Sequence, residues 1–138
     1  MSAGFATALA AEEAAIYAYG VIGVRLPEAG EETEARTAEL AHRARRDYLV
    51  GKISELPASP AGYQLPFPVE DRASALKLAI QVEDGVAQAW RPMLAITEAA
   101  DRGTALAALT DAAVRATRWR RLAGVTPVTL PFPGRPTA

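Results

Sequence analysis

Apolar residues recur along this chain at the alternating steps of three and four that a helix facing other helices requires. Phe5, Leu9, Glu12, Ile16, Tyr19, Gly23 and Leu26 follow one another at 4, 3, 4, 3, 4 and 3 residues, which predicts a first helix over about residues 4 to 26, stopped by Pro27. Leu76, Ile80, Glu83, Ala87, Trp90 and Leu94 repeat the rhythm at 4, 3, 4, 3 and 4, predicting a third helix from an N-cap at Asp71, kinked at Pro92. Between them a segment rich in Glu, Ala, Arg and Leu predicts a second helix. It begins near Thr33, or at Pro27 as a first-turn proline, and ends near Leu56. Gly103 separates off a fourth helix over about Thr104 to Ala123, with Gly124 as its closing glycine.

Two stretches carry neither period. Residues 57–69 contain Pro57-Ala-Ser-Pro-Ala-Gly-Tyr-Gln-Leu-Pro-Phe-Pro68, and the tail 125–138 repeats Leu65-Pro-Phe-Pro68 as Leu130-Pro-Phe-Pro133. An extended linker of thirteen residues reaches roughly 40 Å, whereas a helix of 24 residues is ~36 Å long. The linker therefore spans the bundle, letting helix three start level with helix two and run parallel to it. The short connections elsewhere imply antiparallel hairpins. The expected architecture is all-α, a single domain of four bundled helices with one long Pro-rich crossover. The Leu-Pro-Phe-Pro strings read as stiff straps over the bundle rather than as recruitment motifs.

Composition narrows the function classes. The 138 residues are 50% hydrophobic and 22% charged, with a formal net charge of −1, as expected of one soluble domain and not of a nucleic-acid or anionic-membrane surface. There is no cysteine, which removes disulfides, zinc thiolates and thiol nucleophiles. The first 24 residues lack Lys and Arg, against a secretory signal. The uncharged run Ala14 to Val24 is shorter than the ~20 residues of a spanning helix. A cytoplasmic protein is the expectation. No serine has a histidine placed beside it by a triad motif, and phosphate-loop and dinucleotide glycine patterns are absent. Trp90 and Trp119 read as core or bundle-end anchors rather than base-stacking platforms.

Candidate chemistry lies in the acids that interrupt the apolar seams. Glu12 and Glu83 sit at the middle of helices one and three, and the sole histidine, His42, follows Glu39 by three residues, so both project from one face of helix two. A buried carboxylate needs a cation, a metal or a proton. Register decides which partner is available. With helix one ending at Leu26 and helix two starting at Thr33, Glu12 stands fourteen residues from the turn and Glu39 six, a mismatch of ~12 Å. Arg46 then faces Glu12. With a start at Pro27, His42 comes level with Glu12. Arginines in His42-Arg-Ala-Arg-Arg46 and Arg115-Ala-Thr-Arg118-Trp-Arg-Arg121 supply fixed counter-charges, giving a buried ion network of Glu12, His42, Arg46, Glu83, Arg115 and Arg118.

Two short hairpins joined by a long crossover, with acids turned inward, resemble the ferritin-like four-helix bundles. In their metal-binding members helices one and three each give a glutamate and helix two gives Glu-x-x-His. The resemblance implies Glu12, Glu39, His42 and Glu83 as ligands of iron or manganese. A second Glu-x-x-His on helix four is missing, but ferroxidase sites look like a one-histidine version and place a tyrosine where Tyr19 stands. A narrower resemblance covers nearly the whole chain. Leu9-Ala-Ala-Glu12-Glu-Ala-Ala-Ile-Tyr-Ala-Tyr-Gly20, Ala41-His-Arg-Ala-Arg-Arg-Asp47, Tyr63-Gln-Leu-Pro-Phe-Pro-Val69, Glu83-Asp-Gly-Val-Ala-Gln-Ala-Trp-Arg91, Arg118-Trp-Arg120 and the Pro-Phe-Pro-Gly134 ending look like the actinobacterial ferritin-like family of unknown function. The expected protein is a ferritin-like bundle without a cofactor, its inner acids neutralised by arginine, acting through its surface or as a homo-oligomer, a dimer. The alternative is an iron or manganese protein or oxidase.

Overall fold

The computed structural model describes residues 2–136. Four long helices and one single-turn helix make up the regular structure: α1 (Ser2–Gly23), α2 (Ala29–Lys52), α3 (Arg72–Trp90), the one-turn α4 (Met93–Ile96) and α5 (Ala99–Ala123). Among the described residues there is no strand. By length and composition alone, Ala3–Gly23 is apolar enough to cross a membrane. In this fold its Phe5, Leu9, Tyr19 and Ile22 are buried in the bundle.

Local chemistry sets most of the helix ends. Asp71 accepts from the Ser74 backbone N–H at 2.8 Å, and the Ser74 hydroxyl accepts from the Asp71 N–H, a reciprocal cap that fixes the start of α3. Gly124, at φ 71°, closes α5, its N–H and that of Val125 donating to the last-turn carbonyls of Arg121 and Arg120. Glu31 and Glu32 in the first turn of α2 complement its dipole.

α1 and α2 end short of the expected positions, at Gly23 and Lys52, and two breakers act differently from the sequence pattern. Pro92 does not kink a continuous helix: α3 stops at Trp90, and Pro92 heads the separate turn Met93–Ile96, since proline suits a first turn and disrupts an interior one. Gly103 does not separate helices. The break falls at Thr97 and Glu98, both extended, and α5 runs through Gly103 from Ala99. One interior glycine costs about 1 kcal/mol, which burial of Ala105, Ala108 and Ala112 just beyond it outweighs.

Side-chain pairs reveal the helix directions. Arg72 bonds Glu31 and His42 bonds Glu83, so eleven residues along α2 (31 to 42) match eleven along α3 (72 to 83), and the two helices run parallel. Trp90 bonds Glu12 whereas Glu83 bonds Tyr19, so α1 and α3 are antiparallel. α1 packs on α2 and α3, and α3 packs on α5. The crossover thus spans the bundle, as its length permits, resting on buried Val69 and half-buried Leu65 and Phe67.

The core is divided. One apolar cluster gathers Phe5, Leu9, Leu49, Ile53, Val86, Trp90 and Met93 at one end, and another gathers Tyr19, Ile22, Leu26, Ala38, Leu76, Leu78 and Trp119 at the other. Glu12, His42, Glu83 and Arg115, all buried, belong to neither and lie between them.

Candidate functional site

Each of the four helices that meet here contributes one charged side chain to the middle layer. Glu12 of α1 and Glu83 of α3 are fully buried at 0% exposure, and His42 of α2 is 2% exposed. His42 stands between the two acids, Nδ1 2.5 Å from Glu12 Oε1 and Nε2 2.8 Å from Glu83 Oε2. A neutral imidazole carries one N–H, so a lone pair would then face a carboxylate oxygen. Both contacts are favourable only for the doubly protonated ring. Burial by itself would push His42 down, but its hydrogen bonds to Glu12 and Glu83, and their charges, prevail and raise it from 6.5 to about 9.

Other donors also reach the two carboxylates. Trp90 Nε1 donates to Glu12 Oε2 at 2.7 Å, and the Tyr19 hydroxyl donates to Glu83 Oε2 at 2.5 Å. Trp119 Nε1 in turn donates to the Tyr19 oxygen at 2.9 Å, and Arg115 Nη1 reaches Glu83 Oε1 at 3.4 Å while its Nη2 holds Asp111 at 2.9 Å. The result is an unbroken chain from Trp119 through Tyr19, Glu83, His42 and Glu12 to Trp90. Two carboxylates balance one imidazolium and one guanidinium, so the buried layer is neutral. Burial, with the Glu83 charge and hydrogen bond adding to it, holds the Tyr19 phenol well above its usual range. Burial would lower Arg115, yet the Glu83 and Asp111 charges raise it.

Only part of the sequence-predicted set comes together. Glu12, His42, Glu83 and Arg115 meet. Glu39 instead pairs with Arg43 at 3.0 Å on the outer side of α2, because the buried stripe Ala35, Ala38, His42, Leu49 leaves position 39 at its edge. Arg46 also lies outside the layer, against Asp47 at 3.0 Å. Arg118 is exposed, since α5 buries Arg115, Ala116, Trp119 and Arg120 and turns position 118 outward. The expectation that Arg46 faces Glu12 depended on a start at Thr33. α2 begins at Ala29, six residues after α1 ends at Gly23, and this brings His42 level with Glu12.

Tyr19, Trp90 and Trp119 were not expected as donors to this layer. The sequence does hold a signal for two of them. Tyr19 lies seven residues after Glu12 and Trp90 seven after Glu83, so in an antiparallel pair each acid faces the other helix's aromatic donor.

This donor set does not fit a shared metal ion. Both ring nitrogens of His42 are committed to different carboxylates, and the oxygens a cation would need receive N–H or O–H donors. Among the described residues no group of three or more His, Asp or Glu is arranged to hold a metal. A polar cleft of about 310 Å³ between α1 and α2, lined by Gly20, Gly23, Arg36 and Glu39, touches Tyr19.

Similarity to known proteins agrees with the helical fold and names no activity. The crystal structure of a conserved hypothetical protein, rv2844, from Mycobacterium tuberculosis superposes with a TM-score of 0.80 at 41% identity, over 87% of this chain and 94% of that one. A search of curated proteins gives no match. Residues 4–137 match the family described as Domain of unknown function (DUF4439). On a match spanning nearly its whole length, this chain belongs to that family.

Proposed function

We propose that this chain is a ferritin-like four-helix bundle in which an imidazolium and a guanidinium occupy the place of a metal centre, and that it serves as a non-catalytic module acting through its surface as a homo-oligomer. Parallel α2 and α3 joined by the spanning crossover support the ferritin-like reading. The observation that carries the absence of a cofactor is the double engagement of His42, which leaves no ring nitrogen free for a ligand or a proton acceptor. The layer also lies between two apolar clusters, which supports a structural place for its charges. The outer face of α5 leaves Leu106 54% and Val114 44% exposed, which supports pairing with a second copy.

Protein purified without chelator should carry no stoichiometric iron or manganese by elemental analysis, and anaerobic iron addition should leave its melting curve in place. In a proton–nitrogen spectrum at neutral pH both His42 ring nitrogens should bear protons. One or two ions retained per chain, with loss of a ring proton, would restore the metal alternative. Sedimentation as a monomer at high concentration would overturn the oligomer.

A further inference from the structure

The C-terminal strap is fastened with more care than a passive tail requires. Gly134 is buried at φ 81°, and a Cβ there would stand 2.6 Å from the Ala87 carbonyl oxygen and 3.0 Å from Leu109 Cδ1, so the strap touches the α3 backbone at a position open only to glycine. Arg91 Nη1 reaches the Pro133 carbonyl at 3.5 Å beside it. Despite this close approach, the space between the strap, α3 and α5 is not filled. A cavity of about 160 Å³ remains, with Ala87, Ala113, Val114, Leu130 and Pro133 as apolar walls and Asp84, Thr117, Arg120 and Thr129 at its polar side.

Arg120 is only 6% exposed, and its Nη2 holds Asp84. Among the described residues its guanidinium makes no other side-chain hydrogen bond, and none of its nitrogens is buried without a partner, so its remaining N–H groups stay accessible on a residue that lines the cavity. The Thr117 hydroxyl already donates to the Ala113 carbonyl at 3.0 Å, so toward the cavity it can only accept. Burial raises Asp84 and Arg120 offsets part of that, leaving a carboxylate that gains from a second cation. The pair therefore presents both signs side by side. A lone anion meets Asp84, a lone cation meets Arg120, and a molecule carrying both charges on adjacent atoms satisfies each.

We infer that this cavity is a binding site for a small zwitterion, an α-amino acid with a short aliphatic side chain, its carboxylate on Arg120, its ammonium on Asp84 and Thr117, and its hydrocarbon against Ala113 and Leu130. The volume suits such a ligand, since it falls below the ~300–1,000 Å³ of pockets for larger molecules. The strap, bent and turned over residues 126–134 and anchored at Gly134, forms the outer wall of the site through Thr129, Leu130 and Pro133.

Titration of the full chain with L-valine and L-leucine, followed by amide chemical shifts, tests this site. Residues 84, 113, 117, 120 and 129 should shift together, and isovalerate and isobutylamine, which carry one charge each, should bind at least about tenfold more weakly. Ala113→Phe fills the cavity from α5 without touching the ion pair. It should abolish the shifts while the far-ultraviolet spectrum stays unchanged. Asp84→Asn with Arg120→Gln removes both charges together and should also abolish binding. The absence of shifts at millimolar amino acid would overturn the site. Equal binding of the singly charged analogues would overturn the zwitterion, and shifts that survive Ala113→Phe would overturn the location.

Discussion

Replacing His42 with leucine removes the cation that touches both buried acids. The layer then passes from neutral, two carboxylates against an imidazolium and a guanidinium, to a net charge of −1, and Glu12 Oε1 loses its donor. Two routes give the size of the loss. Removing one partner of a buried ion pair costs about 3–5 kcal/mol. The rise of His42 from 6.5 to about 9 corresponds to about 3 kcal/mol of stability from protonation. For a domain of this length, each kcal/mol moves the melting temperature by about 4 °C, so His42→Leu should lower it by roughly 12–20 °C at pH 6. The sign of the pH dependence follows from the raised folded value. The stabilisation is complete below about pH 6.5, where the unfolded histidine is also protonated, and disappears as pH rises through about 9. Circular dichroism melts of both proteins between pH 6 and 10 measure this. The parent should lose stability across the interval and the variant should stay flat. Adding Glu12→Gln to His42→Leu should restore much of the loss, because Glu83 and Arg115 then balance and no buried charge is stranded. A variant that melts within about 2 °C of the parent at pH 6 would refute the charge accounting.

Arg46→Ala and Arg118→Ala should each cost less than about 1 kcal/mol in chemical denaturation, because Arg46 pairs with exposed Asp47 and Arg118 is exposed; a loss of several kcal/mol would place them in the buried layer. Trp90→Phe removes the donor to Glu12 Oε2 together with part of the buried indole, and a stability loss of at least about 1–3 kcal/mol is expected, with a neutral effect counting against that bond. Gly134→Ala should release the strap, since its φ of 81° and the 2.6 Å approach to Ala87 cannot both persist. A loss of about 1–3 kcal/mol in chemical denaturation is the expected readout.

The seams of α1 and α3, the parallel run permitted by the crossover and the centrality of Glu12 and Glu83 were all legible in the sequence. Each depends on spacing along one helix or on the reach of a linker, and such quantities survive without knowledge of neighbours. The α3 cap at Asp71 and the Gly124 closure were legible for the same reason, since their hydrogen bonds close within a few residues. Gly103 and Pro92 misled the boundaries because a glycine or proline states a local preference, and packing of Ala105, Ala108 and Met93 decides whether it prevails.

The sequence by itself determined that acids stand in the middle of apolar seams and must be neutralised there. Only the tertiary structure decided by what. The six-residue step from Gly23 to Ala29 sets the relative height of α1 and α2, and a shift of one turn would exchange His42 for Arg46 opposite Glu12. Likewise Glu39 and Arg118 look as eligible as His42 and Arg115 in a list of residues, but a rotation of one position on a helix is 100°, enough to turn a charge from core to solvent. Charge and periodicity are properties of the chain, whereas height and rotation belong to the packed bundle, and these settle that His42 bridges the two acids with both of its nitrogens.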